Sequence, residues 1–141
     1  MTTWTPDEIE RRAILESGLA VAVNVRKRGP HARLVPWAAS VGLLEYVGHA
    51  VRYSDWPQTE WANPFRPKKG AALTDEIAAA LLANYERHIR VRPHLMSGMW
   101  LLKGHALGCW CAPSACHAET LARLVNEASK PSLRTSSISS Y

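Results

Sequence analysis

Valine- and leucine-rich runs suited to strands alternate along this chain with capped amphipathic segments, and that order constrains the fold most. Strands joined through helices cannot close as tight hairpins. The order therefore predicts a small single α/β domain with a partly parallel sheet flanked by helices. "TPDEIERRAILESG" offers Thr5 as a cap, Pro6 at the first helical position and Glu8 to complete a capping box. A helix is expected over 6–17, stopped at Gly18. "LAVAVNVRK" is short, valine-rich and bounded by "RGP", which predicts a buried strand over 20–26.

Residues 29–43 carry no decisive pattern. "LLEYVGHAVRY" (43–53) reads as a strand broken at Gly48, or as two short strands. "SDWPQTEWANPFRPKKG" (54–70) predicts an ordered loop, because its aromatic side chains need somewhere to pack. Thr74 then caps a helix in which Ile77, Leu81, Tyr85 and Ile89 form one apolar stripe. Pro93 ends it and starts a short helix. A strand is expected near 106–111, with Leu107, Cys109 and Cys111 on one side and Trp110 on the other. The last helix should begin near Ala115, capped by Ser114, and run to about 128 with Ala118, Leu121 and Val125 buried. The expected organisation is an N-terminal helical extension (1–19), the α/β domain (20–128) and a serine-rich disordered tail (129–141).

The 141-residue chain is 47% apolar and 21% charged, as expected of a soluble globular domain. No apolar run approaches the roughly 20 residues a membrane span requires. "MTTWTPDEIERR" lacks the basic-then-apolar layout of a signal peptide, so a cytoplasmic location and no membrane partner are expected. The net charge of +5 favours anionic partners. Its basic residues come in small groups (Arg26, Lys27, Arg28; Arg66, Lys68, Lys69; Arg87, Arg90, Arg92) and read as a solvated surface or as a nucleic-acid contact.

All three cysteines fall in "GCWCAPSACHAE" (108–119), with His117 directly after the last. An odd count in a reducing compartment speaks against a disulfide framework. The local order is strand, turn, helix, and open parallel sheets bind ligands beyond the carboxyl ends of their strands. Four readings compete. Cys109, Cys111, Cys116 and His117 could complete a tetrahedral zinc shell. Against zinc, neighbouring helical positions such as 116 and 117 point about 100° apart. Alternatively, Cys116 serves as nucleophile or acid beside His117, with the thiolate favoured by the helix start and Cys109 in the same catalytic group. A Cys109–Cys116 redox pair is the third reading and plain packing the fourth. "HAE" also matches the H-x-E of zinc deaminases. Those enzymes place P-C-x-x-C downstream of H-x-E, whereas these cysteines lie upstream, and Glu119 sits about 200° around the helix from His117. That reading is rejected.

The sequence resembles an uncharacterised bacterial and phage family, domain of unknown function 4326, over about residues 20–128. The resemblance rests on "VNVR" (23–26), "YVG" (46–48), "WANPF" (61–65) and the closing "GHALGCWCAPSACHAETL" (104–121). Ala62 stands where the family usually has glycine, Ala115 where proline is common and Glu119 where aspartate is common. The family carries no established activity, so the resemblance implies a fold more than a function. Its closing element is also similar to a second uncharacterised α/β family with a strand-end C-x-E and a C-H-R helix start. By analogy, that similarity favours a ligand or catalytic site over structural zinc.

These residues admit a joint reading. Asn24 and Arg26 would end a strand beside the Cys109 strand and reach the same crevice. "WANPF" would fold over it, with Trp61 stacking on a ring and Asn63 bonding its edge. Otherwise Trp61 and Phe65 fill the core and Asn63 organises the turn before Pro64. The leading expectation is a domain that binds or transforms a small anionic or nucleotide-like ligand at Cys116 and His117, with Arg26 and Asn63 holding it. The alternatives are a non-catalytic zinc-binding module contacting nucleic acid or protein, and a phage accessory protein acting by protein–protein contact whose cysteines only pack.

Overall fold

The computed structural model describes residues 3–49, 56, 58–65, 74–110 and 116–128. Among these residues five helices and three strands follow the order α1 (Pro6–Glu16), β1 (Val21–Asn24), α2 (Leu34–Ser40), β2 (Leu44–Tyr46), α3 (Asp75–Arg90), α4 (Pro93–Gly98), a 3₁₀ turn (Met99–Leu102), β3 (Ala106–Cys109) and α5 (His117–Glu127). The sheet order is β1-β3-β2, and both pairings are parallel. The expected α/β domain forms, and its sheet, expected to be partly parallel, is parallel at both pairings. No helix among the described residues is long and apolar enough to cross a membrane.

Strand alternation divides the core between the two sheet faces. Ala20, Ala22, Leu107 and Cys109 face Tyr85, Ile89, Leu121 and Val125 of α3 and α5. Val21, Val23 and Ala106 face the other way, onto Leu15 of α1 and Leu34 and Ala38 of α2. The stripe expected on α3 is buried only at its carboxyl end: Tyr85 and Ile89 are covered, Leu81 is half-buried and Ile77 is exposed. Phe65 is exposed as well, meeting the His88 ring edge-on at 6.0 Å rather than filling the core.

The first helix keeps its predicted capping box, Thr5 with Glu8. Glu8 does more than cap its own helix. Its Oε1 accepts from the Thr5 N–H, while Oε2 accepts from the N–H groups of Arg33 and Leu34 at 2.7 and 2.8 Å. One buried carboxylate thus serves the starts of both α1 and α2. That explains why residues 29–43 carried no helix signal: Arg33, the N-cap of α2, makes no side-chain cap, and the cap comes from another helix. Burial alone would push the Glu8 carboxyl up, but the N–H bonds from Thr5, Leu34 and Arg33 outweigh it and hold the carboxyl below the ordinary range.

Strand β1 lies at the edge of the sheet, and its outward backbone groups meet side chains. Asn126 pairs with both the N–H and the carbonyl of Ala20, and Arg11 Nη1 donates to the Ala22 carbonyl at 2.6 Å. The Asn24 N–H donates to His31 Nδ1 at 2.7 Å. Because that nitrogen accepts, His31 carries its proton on Nε2, which donates to Asp7 Oδ2 at 2.8 Å. These partners close an edge that could otherwise pair with another strand. Trp4 and Trp37 further bind α1 to α2, with the Arg12 guanidinium 5.1 and 4.4 Å from their ring centroids.

Other boundaries shift modestly. The strand expected over 20–26 closes at Asn24, although the Val25 N–H still bonds the Cys109 carbonyl. Of 43–53, Leu44–Tyr46 forms β2 and the Val47 N–H extends the ladder to Gly108; residues from 50 to 53 lie outside the described ones. The expected 129–141 tail also lies outside them.

Replacing Glu8 tests the shared cap. Glu8→Ala is expected to cost about 2–4 kcal/mol, more than a single exposed cap, because N–H groups at two helix starts lose their partner. Urea unfolding measures this, and a loss below about 0.5 kcal/mol would contradict the assignment. The pH dependence has a defined sign. The stability Glu8 contributes is fully present above the ordinary glutamate value of about 4.3 and is lost as pH falls through its lowered folded value. Glu8→Gln should flatten that acid limb.

Candidate functional site

The chain leaves β1 toward α2 on one face of the sheet and leaves β3 toward α5 on the other. Adjacent parallel strands whose connections diverge in this way open a crevice at their carboxyl ends. The last rung of the β1–β3 register pairs Asn24 with Cys109, at the base of that crevice. Gly108 permits the approach. A Cβ there would lie 2.7 Å from Val25 Cγ1, so a larger residue would force the strands apart.

The expected helix start is corrected by two residues. Helix α5 begins at His117, with Cys116 as its N-cap rather than inside the first turn; Ser114 and Ala115 lie outside the described residues. Cys116 is fully extended, at φ −156° and ψ 151°. This removes the angular objection to a shared ligand, because only one of the two neighbours sits on the helix. Cys116 Sγ lies 3.9 Å from His117 Nδ1 and 3.1 Å from Cys109 Sγ. Cys109, Cys116 and His117 place their ligand atoms within 4.8 Å of one another, a group able to hold a metal ion. Cys111, the fourth candidate ligand, lies outside the described residues.

His117 is oriented from behind. Its Nε2 sits 2.7 Å from the Val47 carbonyl, which only accepts, so Nε2 carries a proton. A singly protonated ring then turns the Nδ1 lone pair toward the sulfurs. Tyr85 meets the His117 ring edge-on at 5.1 Å, and its hydroxyl donates to the Trp61 carbonyl at 2.8 Å. Burial, followed by the nearby Cys116 and Cys109, pushes the Tyr85 phenol far above its ordinary value. It stays a donor throughout the working pH range. Cys109, Cys116 and His117 are themselves only 5%, 3% and 7% exposed.

The opposite side of the crevice is built from Asn24, Arg26 and Trp110. The Trp110 carbonyl accepts from Asn24 Nδ2 at 3.2 Å and from Arg26 Nε at 3.3 Å. Asn24 Oδ1 also accepts from the Arg26 N–H, fixing the turn out of β1. The Arg26 guanidinium lies 5.6 Å from the centre of the half-exposed Trp110 ring. Arg26, Lys27 and Arg28 are all exposed here. Among the described residues, the two Nη atoms of Arg26 make no hydrogen bond.

The "WANPF" segment packs behind the cysteine side of the site. Trp61 is buried in the core with Tyr85 and Cys116, and Asn63 Oδ1 accepts from the Phe65 N–H at 2.9 Å in the turn around Pro64. Neither side chain meets Asn24 or Arg26 in the bonds of the described residues. Trp110 is the aromatic ring at the crevice, a residue that strand alternation had placed on the other side from the cysteines. Its indole N–H donates to Tyr46 Oη at 2.8 Å, and that hydroxyl donates to the His49 carbonyl. Gly48 is needed for this arrangement, since a Cβ there would fall 2.6 Å from Tyr46 Oη. Tyr85 and the Val47 carbonyl were also missed as site supports, because each acts across a long sequence separation, and His31 was missed because a lone histidine in a segment without a clear pattern gave no signal. Glu119 turns away from the cluster, to 3.6 Å from Arg11 Nη1.

No curated protein and no solved structure matches the sequence. A family match covers residues 23–127, leaving out α1 although α1 supplies Asp7, Glu8 and Arg11 to the elements around the site. Over that span, which holds the whole Cys109–Cys116–His117 group, the chain belongs to the family described as Domain of unknown function (DUF4326).

Proposed function

We propose that this domain is a non-catalytic zinc-binding module that presents a basic, tryptophan-floored crevice to a small anionic or nucleotide-like ligand. The observation that carries the zinc half is the convergence of Cys109 Sγ, Cys116 Sγ and His117 Nδ1, with Nε2 of the same ring bonded to the Val47 carbonyl. Two thiolates and one imidazole suit zinc, and a backbone carbonyl on the second ring nitrogen is the usual support for a metal-bound histidine. Burial favours this reading over thiol catalysis. A nucleophile must meet its substrate, whereas an ion can sit among side chains that are 3–7% exposed. Cys111 is the natural fourth ligand. In that position zinc ties the end of β3 to the start of α5 and holds the crevice wall in place.

The ligand half rests on Arg26. It is anchored through Nε to the Trp110 carbonyl and lies over the Trp110 ring, so its outer nitrogens are positioned before any ligand arrives. Lys27 and Arg28 add charge beside it, and the half-exposed indole offers a stacking surface for a base.

Two measurements separate these halves. Protein purified without chelators is expected to contain stoichiometric zinc by elemental mass spectrometry, and Cys109→Ser, Cys116→Ser and His117→Ala should each lose it. A folded, metal-free protein would refute the zinc half. For the ligand, titration with adenosine monophosphate should move the Trp110 indole N–H resonance. The double variant Lys27→Glu with Arg28→Glu should weaken that binding about tenfold or more, on the scale of a lost charge-assisted hydrogen bond. An unmoved indole resonance would refute a nucleotide at this crevice, and tighter binding of a single-stranded oligonucleotide would transfer the site to nucleic acid.

A further inference from the structure

The same two sulfurs have a second chemistry. Cys109 and Cys116 are buried thiols whose Sγ atoms lie 3.1 Å apart. A disulfide requires about 2.05 Å, and two thiolates on a tetrahedral zinc sit about 3.8 Å apart. The observed spacing falls between these distances, so modest side-chain movement reaches either. Cys109 sits at the last rung of β3 and Cys116 on extended backbone before α5, so neither sulfur is locked in the interior of a helix. We propose that Cys109 and Cys116 form a reversible disulfide with a small peroxide oxidant, and that disulfide and zinc exclude each other.

The reaction balances with hydrogen peroxide as the oxidant. One sulfur attacks a peroxide oxygen and the O–O bond breaks. That cysteine becomes a sulfenic acid, and the released hydroxide takes the thiol proton to leave as water. The second sulfur then attacks the first. The Sγ–Sγ bond forms, the S–O bond breaks, and hydroxide leaves with the second thiol proton as another water. Two electrons pass from the sulfur pair to the two peroxide oxygens. A small oxidant is specified because thiols this well covered are reached by peroxide more readily than by a bulky disulfide. A bonded pair no longer supplies two thiolates, so the ion has lost half of its protein ligands if Cys111 is the fourth. The exclusion of zinc rests on the zinc reading above; disulfide formation does not.

Full-length Cys111→Ser protein, as purified, is treated with hydrogen peroxide and followed by intact mass, thiol alkylation and zinc content together. The expected product is a monomer lighter by two hydrogens, with Cys109 and Cys116 resistant to alkylation until a dithiol reductant is added and with zinc lost in step. Successive oxygen additions without the loss of two hydrogens would overturn the pair, as would a disulfide joining two chains. Oxidation that closes the pair while zinc remains bound would overturn the mutual exclusion. Should the wild-type chain hold no zinc as purified while Cys111→Ser closes the disulfide, the redox pair stands and the zinc reading falls. If Cys111→Ser does not fold, the wild-type chain serves. Cleavage after Trp110 separates Cys109 from both Cys111 and Cys116; in the oxidised sample the two fragments should stay joined through Cys116 with Cys111 still open to alkylation, and separated fragments or a bond to Cys111 would overturn the pair.

Discussion

The rung that pairs Asn24 with Cys109 is the contact on which the rest of this site depends. It brings the end of the "VNVR" strand beside the first cysteine and sets which side chains share the crevice. Its closeness requires the bare backbone of Gly108 against Val25. From that rung the two chains part to opposite faces of the sheet. The β3 chain returns as α5 with Cys116 and His117 at its start, and the β1 chain turns through Arg26 to α2. A parallel sheet of three short strands could not stand alone, so both faces are covered and the outward edge of β1 is occupied by side chains from α1, α5 and the loop before α2.

A division of labour follows across the crevice. One wall is apolar and closed: Cys109 and Cys116 lie in the core with Trp61, Tyr85 and Leu121, and His117 is held against Val47. The other wall is basic and open, with Arg26 laid over Trp110 and Lys27 and Arg28 beside it. Exposed positive charge and buried soft donors able to hold a metal ion therefore occupy the two sides of one strand end.

Much of this was legible in the sequence because the signals were local. The Thr5–Glu8 capping box, the Thr74 cap, the valine-rich β1 run and the strand–turn–helix order around the cysteines all act within a few residues. What escaped was nonlocal. Helix α2 is capped by Glu8 from 25 and 26 positions away, and nothing in "HARLVPWAAS" records that debt. The extended backbone of Cys116 was hidden for a similar reason: a helical reading of "SACHAE" sets the two neighbouring side chains apart, and only a cap conformation lets them converge. "WANPF" admitted two readings by composition. Its tryptophan and asparagine suit a ligand, yet Trp61 packs in the core and Asn63 closes its own turn.

The most direct test of this account is X-ray absorption at the zinc edge on protein purified without chelators. Sulfur neighbours near 2.3 Å with an imidazole nitrogen near 2.0 Å are predicted, the shell that Cys109, Cys116 and His117 supply. A spectrum of oxygen and nitrogen neighbours alone, or no zinc edge from a folded sample, would contradict it.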